Sequence, residues 1–372
     1  MTENQNFWYK VARTIAKAGA NPVPISDTFI EILQKLMNEE QGRFVIKVFK
    51  KPSLRFDQIK ERIKGEYDDD AIYKMLEDLL DGGILSSGMS QSAGVRVYRL
   101  LQPWPGLMEY CLLKGETDEK SVKLAKLWHR FYEEMVEGTQ KNYDTIVKMF
   151  EKMPAIDRIV PVEQEVEFGA EIITPYEQAS QYIDSYDDIA VAHCYCRHEK
   201  ELIGDPCKLG APKRNCFFFD KSAKHIIDHN FGDRISKEEA KKIFKEAEDY
   251  GLVHKVFHVH ANPEGKIEAI CNCCKCCCGP FQMYHMGAIP LSTLTSFIAK
   301  VNEDDCIGCE TCVEKCPVDA IDIEDSIAQV NDNLCIGCGV CVHACPQDPK
   351  ALYLERTGLR KVVITPKKIK QT

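Results

Sequence analysis

The feature that most restricts what this chain can become is a cysteine motif written twice. Residues 306–317 read Cys-Ile-Gly-Cys-Glu-Thr-Cys-Val-Glu-Lys-Cys-Pro, and residues 335–346 read Cys-Ile-Gly-Cys-Gly-Val-Cys-Val-His-Ala-Cys-Pro. Both follow C-x2-C-x2-C-x3-C-P. Thiols two residues apart on a tight loop turn toward one point, so each run presents several ligands to a metal centre. Gly308, Gly337 and Gly339 let the backbone curl close and aim its N–H groups at bound sulfur. Pro317 and Pro346 stop the short helix and turn the chain. Zinc or disulfides would be the other use for so many Cys. The duplicated spacing, with a proline closing each copy, points to iron–sulfur clusters instead.

The two runs resemble the two-cluster bacterial-type ferredoxins, over about residues 299–356. In that pattern the fourth Cys of each run ligates the other cluster. The resemblance therefore implies one 4Fe–4S cluster on Cys306, Cys309, Cys312 and Cys345, and a second on Cys335, Cys338, Cys341 and Cys316.

A chain of 372 residues is long enough for two to four domains. Its net charge of −9 disfavours non-specific binding to nucleic acid or anionic membrane and suits basic protein surfaces. Met1–Lys10 lacks the apolar run of a signal peptide, and the apolar part of 288–301 is too short to span a bilayer. Nineteen Cys without an export signal argue for metal ligation in a reducing, oxygen-poor cytoplasm rather than for disulfides. Besides the tail motif, ten lie between Cys194 and Cys278. Cys111, within Tyr-Cys-Leu-Leu, reads as a core thiol.

The expected class is α+β. Residues 1–25 read as an arm with a helix over 7–18. Residues 26–100 resemble a winged-helix domain: a helix over 28–41 capped by Ser26 or Asp27, a second over 43–50, a third opening at Pro52-Ser53, a fourth after Asp68–Asp70, then a hairpin over 84–87 and 95–100. A duplex-reading fourth helix needs Arg or Lys. Residues 66–81 instead carry Glu66, Asp68, Asp69, Asp70, Glu77, Asp78 and Asp81 against a single Lys74. The segment reads as a protein-docking module, not a DNA reader. Residues 101–160 form a helical linker with one helix over 118–152, its stripe Leu124, Leu127, Trp128, Phe131, Tyr132 and Met135.

Residues 161–298 form a Cys-rich module, followed by the two-cluster domain (299–356) and a basic tail (357–372). Helices are expected over 175–185 and 236–250, a strand over 188–193, and a hairpin over 252–260 and 266–271 turning at Asn-Pro-Glu-Gly. Cys194, Cys196, Cys207 and Cys216 precede the block Cys-Asn-Cys-Cys-Lys-Cys-Cys-Cys-Gly-Pro, which supplies Cys271, Cys273, Cys274, Cys276, Cys277 and Cys278. Neighbouring side chains diverge, and the C-x2-C pairs 271/274, 273/276 and 274/277 interleave, so the block should serve more than one centre. One or two further 4Fe–4S clusters, ligated jointly by both halves, are expected; a zinc site is the alternative. Arg197, Lys200 and Lys275 can offset thiolate charge. His193, His198, His254, His258, His260 and His285 read mainly as satisfied half-buried side chains.

With Pro-Gly-Leu-Met-Glu at 105–109, the module and tail resemble a group of anaerobe 4Fe–4S-binding proteins, over about residues 100–356. The Cys277-Cys278-Gly279 run also resembles the CCG element of heterodisulfide-reductase-type sites. The first resemblance implies electron transfer beside a larger redox enzyme, with redox proteins as partners. No G-x-G-x-x-G or G-x4-G-K-[ST] motif accompanies it. Two other functions remain in view: a redox-sensing winged-helix regulator, and an enzyme whose under-ligated central cluster binds substrate.

Overall fold

The computed structural model describes residues 3–19, 23–90, 94–166, 177–258 and 265–369. Helices and strands alternate in an α+β chain that divides into two compact units. The first comprises residues 1–135, 192–206 and 221–233; the second comprises 136–191, 207–220 and 234–372.

In the first unit, α1 (Glu3–Ala16) buries Trp8, Val11, Ala12 and Ile15 and packs on α2 (Asp27–Leu36) and α3 (Glu39–Val48). The helix expected to run on to Gln41 ends five residues sooner. Asn38 caps α3 by accepting from the Gln41 N–H at 2.9 Å, while its own N–H donates to Gln41 Oε1 at 2.9 Å. This reciprocal cap starts a new helix and fixes the break. Next come β1 (Ser53–Arg55), α4 (Phe56–Arg62), α5 (Asp69–Asp81), β2 (Leu85–Met89) and β3 (Arg96–Leu100). The three strands form one sheet in the order β1-β3-β2. The strand β1 stands where a helix start was expected, because Leu54 is buried in the pairing with β3. Asp68 caps α5 through the Ala71 N–H, and Ile72, Met75, Leu76, Leu79 and Leu80 form its buried stripe.

After α6 (Met108–Leu112), α7 (Glu119–Lys141) buries Leu124, Leu127, Trp128, Phe131, Tyr132 and Met135. The single helix expected over 118–152 is two: α8 (Tyr143–Lys152) begins after Asn142, whose side-chain amide bonds back to the Gly138 carbonyl at 3.0 Å. Trp128 donates to Cys111 Sγ at 3.1 Å, and burial pushes that thiol up to about 12, so Cys111 stays protonated.

The remaining elements in chain order are β4 (Asp157–Val160), α9 (Ala179–Asp184), β5 (Ile189–His193), α10 (Tyr195–Leu202), β6 (Arg214–Phe219), α11 (Asp220–Asp228), β7 (Asp233–Arg234), α12 (Lys237–Asp249), β8 (Val253–His258), β9 (Ile267–Cys273), α13 (Gly279–His285), β10 (Leu291–Val301), α14 (Thr311–Lys315), β11 (Ile321–Glu324), β12 (Ile327–Val330), α15 (Val340–His343) and β13 (Leu352–Ile364). Among the described residues, eight strands form one sheet ordered β13-β10-β4-β8-β9-β6-β5-β7. The hairpin of β8 and β9 lies where the alternation placed it. Its turn at 262–264, His260 and the start of the helix expected from Pro175 lie outside the described residues. Two long strands went unread. The apolar stretch 291–301 is β10, and the segment read as a basic tail continues β13 to Ile364. Leu352, Val362 and Ile364 anchor β13, while its basic residues stand between them.

Candidate metal centres

The duplicated motif builds two matching loops in the second unit. At equivalent places Glu310 (φ 63°) and Gly339 (φ 75°) are left-handed, and each precedes a short helix, α14 or α15, carrying the third Cys of its run. Gly308 and Gly337 are also left-handed, both at φ 65°. A Cβ at Gly308 would lie 2.5 Å from the Ser326 carbonyl oxygen, and one at Gly337 would overlap that of Phe297. Only glycine fits so close an approach. Backbone N–H groups of Ala328, Ala320 and Ala299 point at Cys306, Cys316 and Cys335 Sγ at 3.4, 3.2 and 3.4 Å. Such N–H···S contacts are the kind that support cluster thiolates.

The loops bring the tail thiols into two groups. Cys306, Cys309, Cys312 and Cys345 line one cavity with Ile307, Gly308, Ile323 and Leu352. Cys316, Cys335, Cys338 and Cys341 line another with Ala299, Ile321 and Ile336. The first opens outward at exposed Cys309 and at Ile307, which is 62% exposed. All four thiols of the second are buried. Burial holds the Cys338 and Cys341 thiols above their ordinary range, with neighbouring sulfurs adding to it. Four such thiolates packed together call for cationic metal to offset them.

The central block splits between two sides. Cys271 and Cys273 alternate on β9, and Cys216 stands directly opposite Cys271 on β6, with Sγ atoms 3.9 Å apart. Cys273 interacts with both Cys271 and Cys278, the residue that precedes α13. Cys273 and Cys278 belong to the hydrophobic core that also holds Cys312, Cys316, Cys335, Cys338 and Cys341. One peptide bond further on the chain leaves the strand. Cys274, Cys276 and Cys277 turn toward Ala211, Ala247 and Leu252, where Cys207 meets them. Cys207 Sγ lies 3.9 Å from Cys274 and 3.7 Å from Cys276, and Cys276 lies 3.6 Å from Cys277. Four thiols are thus present in each set within the second unit. Cys194 and Cys196, at the start of α10, belong to the first unit.

One charged residue escaped the sequence reading. Lys255 on β8 pairs with Asp157 at 2.8 Å, both side chains 4% exposed. Burial pulls its pKa down, but Asp157, then Cys278 and Cys273, overcome that and hold it above the usual lysine range. Its signal was a single Lys inside the apolar strand Val253–His258. Of the cations named instead, Lys200 pairs with Asp205 at 2.6 Å and Lys275 with Asp319 at 2.8 Å. His254 and His285 are satisfied as expected: His254 Nδ1 bonds Asn272 at 2.6 Å, and His285 Nε2 the Pro317 carbonyl at 2.9 Å. His198 Nε2 bonds the Glu116 carbonyl at 2.7 Å, while its buried Nδ1 makes no hydrogen bond.

Among the described residues no helix is long and apolar enough to cross a membrane. The comparisons with curated proteins and with solved structures returned no match. Residues 299–352, which carry both copies of the motif, match the family described as the 4Fe-4S dicluster domain. With that domain, the chain is an iron–sulfur protein suited to electron transfer.

Proposed function

We propose that this protein is a multi-centre electron carrier and a subunit of a cytoplasmic anaerobic redox assembly. The observation that carries the reading is the pair of four-thiol cavities in one unit, one opening outward at Cys309 and the other enclosed. On this reading Cys306, Cys309, Cys312 and Cys345 hold the cluster that meets a redox partner. Cys316, Cys335, Cys338 and Cys341 hold the inner cluster. Cys216, Cys271, Cys273 and Cys278 supply a further iron–sulfur centre, since two of them share the inner cluster's core. Lys255 offsets the charge of that set, which raises its potential.

Residues 26–100 act as a winged-helix docking module. The exposed Asp69, Asp70, Asp78 and Asp81 on α5 favour a basic protein surface over a nucleic acid duplex. The test is iron and acid-labile sulfide analysis of the anaerobically purified chain, with reduction followed by electron paramagnetic resonance. More than eight irons and more than eight sulfides per chain are expected. Eight or fewer would remove the central iron–sulfur centre from the reading, and signals unaffected by reductant would remove electron transfer.

A further inference from the structure

The two central four-thiol sets differ in spacing. The Sγ atoms of Cys207, Cys274, Cys276 and Cys277 all lie within 4.8 Å of one another. Among the described residues no other group of three or more Cys, His, Asp or Glu gathers its ligand atoms this closely. That contrast includes both tail sets. Thiolates of a 4Fe–4S cube each bind a different iron at a different corner, so they must stand apart to clear the cube. A single ion needs the opposite. With metal–sulfur bonds of about 2.3 Å, the edge of a tetrahedron of four thiolates is about 3.8 Å. The Sγ separations of 3.9, 3.7 and 3.6 Å lie close to that value.

We infer that Cys207, Cys274, Cys276 and Cys277 hold one tetrahedrally coordinated divalent metal ion, zinc or iron, and no inorganic sulfide. Four protein ligands fill a tetrahedral shell and leave no open position, which marks a structural site rather than a catalytic one. The surroundings agree. Cys274 and Cys277 are each 2% exposed, and Ala211, Ala247 and Leu252 wall the site. The ion would tie the 207–213 loop to the turn that follows β9, so its binding free energy would serve folding.

The test uses the full chain, purified anaerobically, with zinc, iron and sulfide measured per chain in the wild type and in Cys276→Ser. The expected result is loss of one metal atom in the variant with sulfide unchanged. Loss of zinc or loss of one iron tells which ion it is. Loss of several irons with an equal amount of sulfide overturns the inference, as does a variant with its full metal content. Should Cys276→Ser fail to fold, X-ray absorption of the wild type decides. Zinc, or an iron component, surrounded by four sulfurs at about 2.3 Å without a neighbouring metal is expected. A central iron fraction found only beside other irons, with no zinc, overturns it. None of these outcomes depends on whether the protein carries electrons.

Discussion

Half-buried Glu109 shows how one side chain ties the first unit's stability to pH. It accepts from the Gly106 N–H at 2.6 Å, yet burial outweighs that bond and raises its pKa to about 7. Between about 4.5 and 7 the folded chain therefore holds a proton that the unfolded chain has released. The resulting stability is whole below the unfolded pKa and is lost as pH rises through about 7. Glu109→Gln keeps the neutral shape. Anaerobic thermal melting should show the variant more stable than wild type at pH 8.5, by up to about 3 kcal/mol, with the two converging toward pH 5. A constant gap across that range would refute the titration. The tail Cys could be read at once, since their spacing is itself the chemistry. Lys255 could not, because a cation in an apolar strand discloses its purpose only when Asp157 and the Cys273/Cys278 side are seen beside it.

Elements with a period and a cap were legible: α5 after Asp68, α12 after Ser236, and the β8–β9 hairpin. Those set by distant pairing were not. Three residues are too few for β1 to show an alternation, and β13 buries little besides its two ends, so its basic middle resembled a tail. The inner loop of the duplicated motif leans on one of the missed strands, because Gly337 lies against the Phe297 carbonyl of β10. Gly337→Ala should force that loop from the strand, adding a left-handed cost of about 1–2 kcal/mol to the overlap. About four irons should be lost, or lost faster under chelation, whereas Gly358→Ala, with open space around its Cβ, should hold its iron. Equal retention in both variants would show that the close approach does not matter.

For the molecule as a whole, the proposed docking role is a question of charge. The chain carries −9 overall, and the acid on α5 is exposed. The triple variant Asp70→Lys, Glu77→Lys and Asp78→Lys should weaken co-purification of the native redox partner at least tenfold while iron content stays level. Tight, sequence-selective DNA binding by the wild type at physiological salt would reverse that assignment. The division of labour inside the central block was hidden from the sequence, where all six Cys look alike. It depends on β9 ending at Cys273, which sends Cys273 and Cys274 into different cores. That step makes the block behave like a reading frame. Exchanging one thiol costs one ligand in one set. Inserting a single residue between Cys273 and Cys274 moves every later Cys one position along and disturbs both sets together. A surface loop can gain or lose a residue at little cost, whereas a change of length within this run would disturb ligands of both sets at once.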